Sequence, residues 1–138
     1  MSLFARSRDT GVKSFVLKLV NNHCPGLKAL ADGPRSDSRV AVVVPAIVVP
    51  LKKGTPQFDQ GYTAITKEFS NTGVAIVVEH PSNIDEALLG FRLEGQMTFL
   101  RAKSRHLDPI GGGFFAIGFQ LLEVVTPADY QGLDSLDF

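Results

Sequence analysis

The sequence predicts a mainly β (α+β) domain, a six-stranded antiparallel β-barrel with an N-terminal helical segment and a short C-terminal helix. Three observations carry this. From Arg39 onward, β-branched and apolar runs recur with turn residues about every ten positions. No helical periodicity separates these runs, which argues against a βαβ layout. Helical spacing is confined to the front of the chain, and a helix start signal stands near its end. Closing six such strands into a barrel removes the exposed edges of an open sheet.

The front element rests on Val12, Phe15, Val16, Leu19 and Val20, which repeat at helical spacing and form one apolar face. Asp9 or Thr10 is expected to cap its start, and Pro25 with Gly26 to end it. A short second helical piece is expected in "GLKALAD". The apolar face needs a cover, either the main body or a second copy of the chain. Residues 1–32 are therefore read as a helical segment and residues 33–138 as the barrel with its C-terminal helix.

The strands come in order along the chain. "RVAVVVPAIVVPL" is almost wholly apolar and reads as a buried strand. Pro45 and Pro50 cannot donate to a ladder, so they mark an edge, bulge or bend. "FDQGYTAITKEF" alternates loosely and reads as strand two, and "VAIVVEH" after the turn "SNTG" as strand three. "ALLGFRLEG" and "QMTFLRAKSRHL" are strands four and five, joined at Gly95. "DPIGGG" is a turn, and "FFAIGFQLLEV" is strand six. Phe91, Phe99, Phe114, Phe115 and Phe119 are assigned to the barrel core. Thr126 is an expected N-cap with Pro127 at the first helical position, opening the closing helix. The acidic tail beyond it is expected to fray.

Bulk properties narrow the function. The length of 138 residues suits one domain, and 44% hydrophobic with 20% charged residues is ordinary for a globular protein. A formal net charge of zero argues against nucleic-acid binding driven by charge. The single cysteine, Cys24, forms no intrachain disulfide, which fits a reducing compartment. No run reaches the ~18 apolar residues of a membrane span, and no secretory signal is apparent. A cytoplasmic location is expected.

Catalytic signatures are weak. His23, His80 and His106 are scattered without metal-ligand spacing. Cys24 adjoins His23, but neighbours at a helix end do not face each other as a nucleophile and base must. "DPIGGGFF" joins two strands and lacks the following helix and Lys-Ser/Thr of a phosphate loop. No enzyme is expected.

The stretch that remains is "GPRSDSRV", which sets Arg35 and Arg39 four residues apart at the doorstep of strand one. Some thirty residues later, "EFSNTG" carries Glu68, Ser70 and Gly73 at the spacing of a [DN]xSxxG motif. Strand six then holds an apolar-Gly-aromatic core, "FFAIGF". This order closely resembles the PilZ domain, the bacterial receptor for cyclic di-GMP, over roughly residues 33 to 127. The resemblance implies a six-stranded barrel followed by a helix. It also implies that Arg35 and Arg39 contact the dinucleotide while Glu68, Ser70 and Gly73 line the other wall.

The chemistry suits such a ligand. An arginine grips phosphate with a bidentate fork, reads guanine O6 and N7 with the same fork, and stacks on a base. A carboxylate accepts from guanine N–H groups, a serine hydroxyl donates or accepts, and glycine permits close approach. The chain departs from the family in two places: Glu68 stands for Asp or Asn, and Pro34 stands where many relatives carry a basic residue. A second RxxxR, Arg101 to Arg105, is expected on a solvated barrel face, its two arginines about 13 Å apart.

The resemblance thus implies a non-catalytic cyclic di-GMP receptor or adaptor that needs no cofactor and passes binding to an unidentified protein partner. A homodimer is compatible with it. The alternative is a degenerate PilZ domain that binds no nucleotide and acts as a protein-interaction adaptor. Glu68, Pro34 and the amphipathic front helix favour that alternative.

Overall fold

The computed structural model describes residues 2–23, 39–80 and 84–136. Cys24, the "GLKALAD" segment, Pro34 and Arg35 lie outside the described residues. The elements are helix α1 (Ser2–His23) and strands β1 (Pro45–Lys52), β2 (Thr55–Pro56), β3 (Tyr62–Phe69), β4 (Gly73–Val78), β5 (Glu86–Leu93), β6 (Gln96–Gly111) and β7 (Phe114–Val125). The antiparallel sheet runs β2-β1-β3-β4-β7-β6-β5, and β1 also pairs with β5. That last pairing closes six strands into a ring, with the two-residue β2 appended at a hairpin. The fold is mainly β with one N-terminal α-helix, the expected class.

Strand β1 explains its own composition. Ala46 and Val48 join the main apolar cluster, which fills the barrel. Ile47, Val49 and Leu51 point the other way, into a second cluster with Leu88, Phe99, Val125 and Leu133. Both faces are buried, so the run cannot alternate with polar residues. The prolines sit where donors are not needed. Pro45 opens the strand. Pro50 lies past the last β1–β3 pair at Val48, and its carbonyl accepts from the Gln57 amide at 2.8 Å.

Strand one begins later than expected. Residues 39–44 run beside β3 without joining its ladder continuously, and they alternate: Val40, Val42 and Val44 are buried while Arg39, Ala41 and Val43 are exposed. A two-way bridge joins Val40 and Phe69, each amide donating to the other's carbonyl at 2.8 Å. Thr66 supplies the second tie. Its hydroxyl accepts from the Val44 amide at 3.0 Å and donates to the Val42 carbonyl at 2.5 Å. The β3–β4 register shifts between Thr66 and Glu68. This bulge at Lys67 lets Thr66 and Phe69, three residues apart, both face inward, and turns Lys67 and Glu68 outward.

Helix α1 buries the predicted face, Val12, Phe15, Val16, Leu19 and Val20, in the same cluster as the barrel interior. Phe15 meets Phe91 of β5 at 5.7 Å between ring centroids, and Phe91 meets Phe69 at the same distance. The barrel is therefore the cover the helix required. The helix starts at Ser2, not at Asp9 or Thr10, because residues 2–10 contain neither glycine nor proline to stop it.

Three further expectations change. The closing helix is two short 3-10 turns, Pro127–Asp129 and Leu133–Ser135. Thr126 does start the first, its amide donating to the Asp129 carboxylate at 2.8 Å, but Gly132 at φ 90° breaks the run before an α-turn can propagate. The tail does not fray throughout: Leu133 is fully buried in the second cluster, with Tyr130 and Leu136 against it. Strand β6 extends through Asp108 and Pro109 to Gly111, and the turn contracts to Gly112–Gly113, both at positive φ. Of the phenylalanines, Phe114 is exposed, and Phe99 lies in the outer cluster with its ring over Gly90.

Replacing Thr66 by valine keeps its shape but leaves the Val44 amide and Val42 carbonyl without that partner. We expect a loss of about 1–3 kcal/mol in unfolding free energy, measured by denaturant titration. An unchanged midpoint would contradict this role for the hydroxyl.

Candidate functional site

The bulge that turns Glu68 outward also sets the site. Glu68 of β3 pairs with Ala75 of β4, Ala75 with Gly118 of β7, and Gly118 with His106 of β6. Paired residues share a face, so these four form one outward row across four strands. The row crosses three interstrand steps, roughly 14 Å. A neighbouring row carries Gly73, Gln120 and Lys103. The middle of the first row is small, Ala75 and Gly118, and the second row begins with Gly73, so the outer wall is hollow along β4. The hollow is a cleft of about 270 Å³, lined at its two sides by Arg39 and Glu68, and by Arg105, His106 and Gln120.

Each side chain is placed by a local cause. The Val40–Phe69 bridge holds Arg39 beside the end of β3, where its Nη1 donates to Glu68 Oε2 at 3.1 Å. Lys67 Nζ approaches Glu68 Oε1 at 3.5 Å. The pair is asymmetric: the Arg39 side chain is 63% exposed and that of Glu68 only 24%. Exposed pairs of this kind contribute about 0–1 kcal/mol, so a ligand can replace Arg39 on Glu68, or Glu68 on Arg39, at small cost. In the turn Ser70–Gly73 the Ser70 amide donates to the Gly73 carbonyl at 2.9 Å, and the Leu121 amide donates to the Thr72 carbonyl at 2.8 Å. A Cβ on Gly73 would stand 3.0 Å from both the Phe119 carbonyl oxygen and Ser70 Oγ. Glycine is required here by close approach, not by its dihedral freedom.

On the opposite side a second bulge, between Ser104 and His106, makes Arg105 the extra residue of β6. Its Nε and Nη2 both donate to Gln120 Oε1, the first at 2.7 Å. The His106 ring lies over Gly118, where any Cβ would overlap it, and its Nδ1 stands 3.1 Å from Asp108 Oδ2. Arg39, Lys67 and Arg105 against the carboxylates of Glu68 and Asp108 leave the cleft and its rim with an excess of positive charge.

Of the residues singled out from the sequence, the structure brings Arg39, Glu68, Ser70 and Gly73 to this one cleft. Arg35 lies outside the described residues. Sequence reasoning set aside Arg105 and His106, yet both line the cleft. The "RAKSR" spacing was a visible signal, but the bulge that presents Arg105 left no mark in the residue types. Its companion Arg101 has a different fate. It donates to Glu123 at 2.7 Å and to Glu86 at 3.1 Å, and these acceptors raise its pKa against the opposing effect of burial. Arg101 thus staples β5, β6 and β7. A larger concavity of about 570 Å³ includes Tyr62, Ile65, Val78, His80 and Phe114. It is mainly apolar and holds none of the expected site residues.

Gly118→Ala places a methyl group where the His106 ring lies. We expect the ring to swing away at a cost of roughly 1 kcal/mol, visible as a change in His106 ring-proton shifts with those of Phe69 and Phe91 unmoved. Unchanged His106 resonances would refute this stacking.

No family model matches the chain, and no curated protein matches it. Among solved structures it is similar to that of the Bacillus subtilis inhibitor of motility, MotI/DgrA, at 16% sequence identity and a TM-score of 0.50. The likeness covers 70% of this chain and 46% of that one, so the chain spans about half the length of the structure it matches. At this identity the similarity is one of fold: a β-rich architecture shared with a solved bacterial protein.

Proposed function

We propose that the chain is a non-catalytic receptor for cyclic di-GMP that passes ligand binding to a protein partner. The observation that carries this is the convergence of Arg39 with Glu68, Ser70 and Gly73, from segments some thirty residues apart, on one cleft with a floor of small residues. In this reading the flat dinucleotide lies over Ala75, beside the His106 ring that covers Gly118. Glu68 accepts from a guanine Watson–Crick edge, and Gly73 allows the base to approach. Arg39 leaves its weak pair with Glu68 to fork onto phosphate or guanine, joined by Arg35 from the segment that precedes it in sequence. Because that segment links α1 to the cleft, ligand capture biases the position of α1. This is a population shift, and it requires tighter binding to one arrangement than to the other.

A second reading is favoured by one observation. Glu68 is already engaged by two cations, Arg39 and Lys67. If that arrangement persists in solution, the domain is a degenerate receptor that uses the same barrel as a protein adaptor.

Calorimetric titration with cyclic di-GMP, with GTP as the control, separates the two. The receptor reading expects micromolar binding, about −8 kcal/mol, absent for GTP. No heat at high ligand selects the adaptor. Arg39→Ala and Arg35→Ala are each expected to cost about 1–3 kcal/mol of binding, and unchanged affinity in both would reject the assignment. Glu68→Asp shortens the side chain by one methylene and is expected to tighten binding. Equal or weaker binding would count against that geometry.

A further inference from the structure

We infer that Arg105 is a second anion-gripping residue of the cleft, acting from the β6 side on a phosphodiester of the bound dinucleotide. This rests on the cyclic di-GMP reading and adds to it a residue outside both motifs that led to it.

Four observations converge on Arg105. It lines the cleft, across the small-residue floor from Arg39. It is the extra residue of a β-bulge, a device that re-aims one side chain out of the regular alternation. Its guanidinium is held on one edge: Nε and Nη2 donate to the same Gln120 oxygen. The end of the fork, Nη1 and the second hydrogen of Nη2, meets no protein partner among the described residues. Gln120 is neutral, so it orients the fork without cancelling the charge.

Arg101, in the same "RAKSR" stretch, shows what a purely structural arginine looks like in this sheet. Its donors go to two carboxylates, Glu86 and Glu123, and its charge is balanced on the spot. Among the described residues Arg105 has the opposite character, a cation paired with no carboxylate, with a fixed edge and an open end. Pre-orientation reduces the ordering cost of a bound arginine, and the open end matches two oxygens of a phosphodiester. The small residues Gly73 and Ala75 leave the cleft open to a flat ligand between Arg39 and Arg105, with the His106 ring over Gly118 on the Arg105 side.

The test titrates cyclic di-GMP into the full chain carrying Arg105→Ala, Arg105→Lys or Arg101→Ala, and records each melting curve. Arg105→Ala is expected to weaken binding tenfold or more with its melting temperature unchanged. Arg105→Lys, which keeps the charge but not the fork, is expected to recover only part of the loss. Arg101→Ala is expected to melt earlier yet bind like the parent. An Arg105→Ala affinity within twofold of the parent overturns the inference and leaves the cyclic di-GMP reading standing. Absence of binding by the parent chain overturns both. Should Arg105→Ala fold poorly, Arg105→Lys decides: parental affinity overturns the inference, and reduced affinity in a normally melting protein supports it.

Discussion

One buried hydroxyl, that of Thr66, governs how the barrel wall is assembled around the cleft. It is 1% exposed and joins the Val42 carbonyl to the Val44 amide, two groups that the imperfect ladder beside β3 would otherwise leave without these bonds. Buried backbone groups must be paired, so this side chain is what allows residues 39–44 to approach β1 as an alternating, half-exposed segment. The adjacent bulge at Lys67 restores the inward phase for Phe69, whose backbone then grips Val40. Arg39 and Glu68 meet because of these two adjustments, not because of their attraction, which is weak at the surface.

The cleft inverts the usual logic of a barrel. Interior positions are large and apolar, as close packing demands, while the outward rows carry Gly73, Ala75 and Gly118, the two glycines kept small by close contacts with Phe119, Ser70 and His106. Those positions give up the packing that β-branched residues supply on a sheet. What they gain is a concave wall between two charged margins. The margins differ in kind. One pairs Arg39 with a carboxylate that a ligand can displace. The other holds Arg105 by a neutral amide that a ligand need not displace.

Much of the fold could be read from the residues. The helical face from Val12 to Val20, the hairpin at Gly95 and the order of the main strands are all legible in periodicity and turn chemistry. The start of α1 is not, because a helix with no breaker upstream simply continues. The 3-10 turns in place of a closing helix depend on Gly132 interrupting a run already too short to propagate. Phe99 and Phe114 depart from the expected core because an aromatic in a strand names no face, and register is set by bulges that residue types do not announce. The same limit hides Arg105. Its motif spacing is plain, but only the pairing of His106 with Gly118 puts it beside the cleft. Glu68 can be singled out by its motif, whereas its capture by Arg39 and Lys67 cannot.

The apolar face of α1 limits what the proposed receptor could do with a bound ligand. Five side chains of that helix lie in the barrel's own core, and fully burying each contributes about 1.5–3 kcal/mol. Freeing the helix would therefore cost on the order of 10 kcal/mol, more than the whole binding energy of a micromolar ligand. A small molecule on the outer wall cannot spend its entire affinity on release and still stay bound. In the receptor proposed above, a signal through α1 would travel as a tilt or slide of a helix that stays docked, read by its position and not by its absence.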